Sequence, residues 1–357
     1  MRIVVVTDAW KPQVNGVVRT LATLKSELER LGHEPTYVTP EFFSTIPCPT
    51  YPEIRLSIAP ARRLAQMIEE ARPEAIHIST EGPLGWSARA FCRKRGLPFS
   101  TAYHTKFPEY IQARARIPLS WSYAVLRRFH SASSSVMVAT ASIEEELRQS
   151  GFARMRRWSR GVDTVLFRPH TEDEIMALAP EAAAMPKPLF AYVGRVAVEK
   201  NIDAFLGLDL PGSKMVVGDG PMLEDLRRRH PTVLFTGPRV GAALAAHFAA
   251  ASVFVFPSRT DTFGLVMLEA MASGLPVAAY PVPGPLDVLT DRTAAVMNED
   301  LGRAAHAALS LSRESARAFA LGFSWESCAR QFLANLAPFD FAVWNAPALQ
   351  HRAPAAA

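Results

Sequence analysis

Cysteine is scarce: Cys48, Cys92 and Cys328 are the only three in 357 residues, and no two of them form a C-x2-C pair. An odd number at wide spacing argues against a disulfide framework or a thiolate zinc site. No apolar run approaches the roughly 20 residues of a membrane span. The N-terminus, Met1–Arg2–Ile3–Val4–Val5–Val6–Thr7–Asp8, turns polar too soon for a signal peptide and reads as a first strand, so a cytoplasmic location is expected. No Asp-x-Asp pair occurs, so a carboxylate-chelated metal across a diphosphate is not indicated, and no metal ligand is assigned. Fixed-period repeats and low-complexity tracts are missing too, apart from the alanine-rich residues 353–357.

What is present is apolar and basic. A 49% apolar content over 357 residues is enough for two domains of ordinary size. Residues 1–170 carry 24 Lys and Arg against 15 Asp and Glu, a balance of +9, whereas the remainder stands at −4. The cations gather at Arg62–Arg63, Arg93–Lys94–Arg95, Arg114 and Arg116, Arg127–Arg128 and Arg154–Arg157, and the stretch Ile117–Phe129 mixes them with aromatics. Such a surface suits anionic lipid headgroups, at about 1 kcal/mol per basic residue. Nucleic acid would suit the charge as well, but no nucleic-acid motif accompanies it, and none is expected as a partner.

Short apolar runs alternate with amphipathic segments twice along the chain. The first series is Ile3–Thr7, Val17–Leu31, Thr36–Val38, Ala61–Ala71, Ala75–Ile78, Leu84–Lys94, Phe99–Ala102, Tyr123–Ser131, Val136–Ala139 and Ile143–Gln149. The second places strands at Pro188–Val193, Met215–Val217, Val233–Thr236, Val253–Phe256 and Val277–Ala279, with helices at Asn201–Leu206, Met222–Arg229, Ala242–Ala250 and Phe263–Ser273. This is the α/β pattern of two doubly wound, Rossmann-like domains facing a cleft. The polar, acidic stretch 167–188 reads as the connection between residues 1–168 and 169–338. Phe323–Cys328 opens a last helix, and residues 339–357 form a terminal segment, with 339–351 expected to return to the first domain and a disordered tail to follow.

The most informative stretch runs from Pro257 to Pro276. Pro257 stops an apolar strand, Thr262 can cap a helix from Phe263, and Gly264 and Leu265 stand at its mouth. Asp261 therefore lies where free N–H groups and partial positive charge favour an anion by about 0.3–1 kcal/mol. Glu269, eight positions on and two turns into that helix, sits among Phe263, Leu265, Val266, Leu268 and Met271. A buried carboxylate there needs a hydrogen-bonding partner such as a ribose diol; a Glu facing solvent would read the same way.

This stretch resembles the E-x7-E signature of the retaining family 4 glycosyltransferases of GT-B fold, with Asp261 where the first Glu is usual. The resemblance implies that Asp261 contacts hydroxyls of the transferred sugar and that Glu269 holds the nucleotide ribose. Asp261 is one methylene short, on the order of 1.5 Å less reach, so the preferred sugar stays open.

Other strings carry the same resemblance. Pro12–Gln13–Val14–Asn15–Gly16–Val17 follows the first strand and is similar to the amino-terminal loop of that family's mannosyltransferase and sulfolipid-synthase branch; a glycine opening a helix lets backbone N–H groups approach a diphosphate. Arg195 and Lys200 follow the first strand of the second half, where two cations can neutralise a departing diphosphate; they match the family's diphosphate-binding pair. His104 ends a strand in Ala102–Tyr103–His104–Thr105, and the resemblance implies contact with the donor sugar. His77 reads as a buried structural histidine. Phe235–Thr236–Gly237 resembles the segment that holds the base, and Gly161–Val162–Asp163 the family's Gly-Val-Asp string, here preceded by Arg160 instead of the common Asn.

The resulting expectation is a metal-independent hexosyltransferase that needs no cofactor. His104 and Asp261 would be its catalytic groups, and Gly16, Arg195, Lys200, Gly237, Phe263, Gly264, Leu265 and Glu269 would hold the nucleotide sugar. The acceptor is expected to be diacylglycerol or a lipid-linked glycan, with the enzyme peripheral on the inner face of the plasma membrane. A GDP-mannose-dependent mannosyltransferase on a glycan or phospholipid, a sugar-nucleotide epimerase, and a sugar-nucleotide-binding protein without activity are the alternatives. Base, sugar and oligomeric state are not encoded in any motif.

Overall fold

The computed structural model describes residues 1–340 except 14, 49–50, 107, 109–111, 113–117 and 262, and the backbone alone of 51–53. Arg114, Arg116, the Thr262 cap and most of the segment from 339 onward lie outside the described residues.

The first domain begins β1 (Arg2–Val6), α1 (Gly16–Arg30) and β2 (Glu34–Val38), then a hairpin of β3 (Thr45–Cys48) and β4 (Tyr51–Ser57). It continues through α2 (Ala61–Ala71), β5 (Ala75–Ile78), α3 (Pro83–Arg95), β6 (Ser100–Tyr103), α4 (Leu119–His130), β7 (Ser135–Val138), α5 (Ala141–Gln149) and β8 (Met155–Arg157). Its sheet is parallel, in the order β2-β1-β5-β6-β7-β8. β1, β5 and β7 are buried on both faces, which is why they read as nearly continuous apolar runs. α1 starts where Asn15 accepts from the N–H groups of Val17 and Val18, both at 3.0 Å, and buries Leu21, Leu24 and Leu28 at helical spacing.

The second domain contains α6 (Glu172–Leu178), α7 (Pro180–Ala183), β9 (Leu189–Val193), α8 (Ile202–Leu206), β10 (Ser213–Val217), α9 (Leu223–Arg229) and β11 (Leu234–Gly237). It goes on through α10 (Gly241–Ala250), β12 (Val253–Phe256), α11 (Leu265–Ala272), β13 (Val277–Ala279), α12 (Pro285–Val288), β14 (Ala295–Met297), α13 (Leu301–Ala308) and α14 (Arg313–Ala320). A second parallel sheet runs β11-β10-β9-β12-β13-β14, with an apolar core on each face. The stretch 167–188, expected as the connection, already belongs to the second domain: Phe167, Ala179 and Ala182 are buried in its core, and Thr171 and Glu174 form a reciprocal capping box that starts α6.

The last helix, α15 (Trp325–Asn335), returns to the first domain. Cys328, Ala329 and Phe332 are buried there with Ile3, Val5, Leu21 and Leu24, and Trp158 Nε1 donates to the Cys328 carbonyl at 3.2 Å. The helix returns because Phe332 and Cys328 repeat at helical spacing behind the Ser324 cap. Of the stretch 339–351, where a return was also expected, residues 341–351 lie outside the described residues, and Phe339 N–H donates to the Glu74 carbonyl of the first domain at 2.8 Å. The chain thus passes between domains twice, at Gly161–Val162 and at Phe323–Trp325. Val162 N–H donates to the Phe323 carbonyl at 3.1 Å, and a Cβ on Gly161 would stand 2.5 Å from the Trp325 nitrogen, so only glycine lets the two crossings touch.

Candidate active site

In the second sheet the direction of winding reverses between β9 and β12, and in the first between β1 and β5. Crevices at the carboxyl ends of such strands are where doubly wound sheets bind ligands. The loop after β9 runs through Arg195 into a short 3-10 turn, Val198–Lys200. It is pinned on three sides: Tyr192 Oη donates to the Arg195 carbonyl at 2.8 Å, Val196 N–H to the Asp219 carbonyl at 2.8 Å, and Asn201 Nδ2 to the Pro257 carbonyl at 3.1 Å. The loop after β12 leans on it, with Thr260 Oγ1 donating to the Glu199 carbonyl at 3.3 Å. Lys200 Nζ and Asp261 Oδ1 meet at 2.5 Å between these loops, 22% and 18% exposed. A cation and an acid are thereby fixed at one strand-end crevice while both remain reachable by solvent.

α11 opens at Leu265, two residues later than the sequence suggested, and Gly264 at φ 79° is its N-cap with no capping side chain among the described residues. The left-handed turn explains the later start: Phe263 is turned inward and buried while the chain reverses at Gly264. The first N–H groups of α11 then point toward the crevice. Glu269 is little more than one turn in, instead of two, and only 5% exposed. Burial pushes its carboxyl above the usual range, against the opposing charge of Arg19, whose Nη2 lies 2.5 Å from Oε1. Arg19 belongs to α1 of the other domain and also stands over the Phe167 ring at 5.8 Å. A Cβ on Gly16 would meet Leu265 Cδ1 at 3.7 Å, so the mouths of α1 and α11 face each other across the cleft. A cavity of about 530 Å³ between the domains is lined by Arg19, Asp163, Phe167, Leu265, Glu269 and Trp325. A larger one, about 1000 Å³, lies at Met1, Arg72 and Phe339, by the amino ends of β1 and β5 and away from this crevice.

His104 follows β6 on the first domain. Its Nδ1 lies 3.2 Å from Arg160 Nη2, and its ring meets the edge of Trp158 at 5.6 Å. Burial, and then the positive charge of Arg160, hold the imidazole well below its usual pKa. Gly237 ends β11 at φ 74°, where the pairing with β10 shifts register. His77 is fully buried, with Nδ1 2.9 Å from Ser100 Oγ, and burial takes its pKa down to about 3. Among the described residues no cluster of three or more His, Cys, Asp or Glu side chains could hold a metal ion.

Lys200 and Asp261 thus meet at the strand-end crevice on the loops after β9 and β12, the former loop also carrying Arg195. Gly264 and Leu265 form the mouth of α11 with Gly16 opposite, Glu269 lies with Arg19 on the cavity between the domains, and Phe263 is packed into the second core. Two participants were given no role from sequence. Arg19 stands three residues after Gly16, on the same face of α1, and that spacing is the signal that would have found it. Arg160 was visible only as a departure from Asn.

A family model described as Glycosyltransferase Family 4 matches residues 14–166, and one described as Glycosyl transferases group 1 matches residues 187–314. A GDP-mannose-dependent alpha-mannosyltransferase of Mycobacterium tuberculosis is 30% identical over 314 residues, which are 81% of this chain and 82% of that protein. An alpha-monoglucosyldiacylglycerol synthase of Streptococcus pneumoniae is 27% identical over 327 residues, 82% of this chain and 74% of that one. The solved structure of sucrose-phosphate synthase from Thermosynechococcus elongatus superposes with a TM-score of 0.72 at 23% identity, over 93% of this chain and 97% of that one.

Proposed function

The chain belongs to the family 4 glycosyltransferases, with the GT-B fold, and we propose that it moves a hexose from a UDP- or GDP-sugar to a membrane-associated acceptor, diacylglycerol or a lipid-linked glycan, with retention at the anomeric carbon. The observation that carries this reading is the meeting of Lys200 and Asp261 beside the open mouth of α11. A diphosphate entering there would take over Asp261 as the counter-ion of Lys200. Asp261 would then be released to accept hydrogen bonds from sugar hydroxyls, within reach of the same loop.

In this reading Arg195, Lys200 and the first N–H groups of α11 stabilise negative charge as the bond from C1 to the β-phosphate oxygen breaks. The acceptor oxygen bonds to C1 on the face the phosphate leaves, and its proton passes to that phosphate oxygen. Glu269 binds the ribose hydroxyls, exchanging Arg19 for them, and His104 donates to a sugar hydroxyl. The cations and helix amides meet the electrostatic demand, so no divalent metal is invoked. Alignment in the closed cleft supplies the remainder of the rate.

A second reading, transfer of mannose from GDP-mannose to a glycan or phospholipid, is favoured by the 30% identical mannosyltransferase. Incubating the protein with UDP- and GDP-sugars and diacylglycerol-containing liposomes, without added metal, separates the two by mass spectrometry. A hexosyl diacylglycerol is the expected product; consumption of GDP-mannose alone with no modified diacylglycerol selects the second reading. Asp261→Ala is expected to lower kcat by at least about 100-fold while nucleotide binding is largely kept, since Asp261 acts on the sugar and Glu269 on the ribose.

A further inference from the structure

Arg160 lies at the first crossing between the domains and is only 5% exposed. Its guanidinium stands over the Trp158 ring at 4.3 Å, and Nη1 donates to the carbonyls of Trp158 at 2.6 Å and Ser159 at 3.0 Å. Nη2 is left facing His104 Nδ1 at 3.2 Å. Among the described residues no carboxylate lies within ion-pair distance of this buried cation, and burial brings its pKa down to about 10, so it stays charged at neutral pH. The guanidinium is anchored by backbone, and its other arm is aimed at one imidazole.

A guanidinium has five donors and no acceptor. The bond to Nδ1 therefore exists only if Nδ1 presents its lone pair, which places the ring proton on Nε2. An imidazolium would set two cations 3.2 Å apart in a poorly solvated site. Among the described residues the other titratable groups that act on the ring are His77 and His130, and neither carries negative charge that would offset this. Asn, the residue common at this position in the family, offers both a donor and an acceptor and would leave the tautomer undecided.

We infer that Arg160 is a positioning residue for His104, fixing it as the neutral Nε2–H tautomer so that it serves as a hydrogen-bond donor and not as a base. The catalytic meaning of this rests on the reading of His104 as a donor-sugar contact; the tautomer does not. Long-range proton–nitrogen correlation spectra of histidine-labelled protein, with His104 assigned through His104→Gln, test it on the wild type. The expected result is an acceptor Nδ1 and a protonated Nε2 from about pH 5 to pH 8. An Nδ1–H tautomer, or an imidazolium at neutral pH, overturns the inference.

Arg160→Gln should give mixed tautomers and lower kcat by roughly 10- to 100-fold, the loss for one oriented, charge-assisted hydrogen bond. Arg160→Lys, which can still only donate, should restore the Nε2–H signature and most of the rate. A His104 spectrum unchanged by Arg160→Gln also overturns the inference. Full activity of His104→Gln alongside the expected wild-type tautomer would instead remove His104 from the transfer and leave the assignment of Arg160 intact.

Discussion

Asp8 shows how far one buried carboxyl can set the pH response of the molecule. It is 6% exposed, where Thr80 Oγ1 donates to it at 3.0 Å and the N–H groups of Leu84 and Gly85, in the first turn of α3, at 3.0 and 3.3 Å. Burial outweighs these bonds and raises its pKa from 3.8 to about 6. The folded chain thus keeps this proton longer than the unfolded chain. Below about pH 4 the group costs nothing, and stability is lost as pH rises through about 6, by roughly 3 kcal/mol at neutrality. Asp8→Asn should flatten that part of the pH profile, seen by comparing urea midpoints at pH 4.5 and 7 in both proteins. Equal pH dependence in the two would show that Asp8 ionises normally. Residues like this escape a sequence reading because their state depends on what covers them. The positions of Lys200 and Asp261 were legible, since strand ends and the helix mouth place them whatever the packing; the burial of Glu269 and the parts played by Arg19 and Arg160 come from contacts with remote segments.

At the scale of elements, strands flanked by amphipathic helices could be read almost to the residue: Ala75–Ile78, Val253–Phe256 and Val277–Ala279 coincide with their expected limits. The β3–β4 hairpin and β8 could not, because edge strands with Pro47, Arg156 or Arg157 carry too little apolar signal, and β14 could not because three apolar residues, Ala295–Met297, are too short a run to stand out. α15 was legible as a helix, but its destination was not, since its apolar face would suit either core. Phe332 makes that destination testable. It is fully buried, with ring centroids 5.2 Å from Trp158 and 4.9 Å from His77, both in the first domain. Phe332→Ala should cost about 3–5 kcal/mol, most of it in the first domain, measured by denaturant unfolding with Trp158 fluorescence as the probe. An unchanged midpoint would mean that α15 does not hold the first domain together.

For the whole molecule, the question is how a basic first domain meets its acceptor. No helix among the described residues is long and apolar enough to cross a membrane. α4 offers an alternative, with Trp121 71% and Val125 54% exposed on one stripe that continues to Arg128. Arg127 is less available, since its Nη1 donates to the Ser150 carbonyl at 2.9 Å. Arg128→Glu should weaken binding to anionic liposomes by roughly 30-fold, from about 2 kcal/mol for one reversed charge, and Trp121→Ala should weaken it further. Sedimentation with vesicles reads the change, and undiminished co-sedimentation would refute the membrane assignment. The paired crossings at Gly161–Val162 and Phe323–Trp325 constrain how the two halves can move against each other. A single strap would let one half of the molecule tumble against the other, whereas two straps bonded side by side act as the knuckles of a door hinge, resisting twist and leaving one axis of swing. With the first half anchored to a lipid surface, every opening would then sweep the donor-bearing half through the same arc and return it to the same acceptor position.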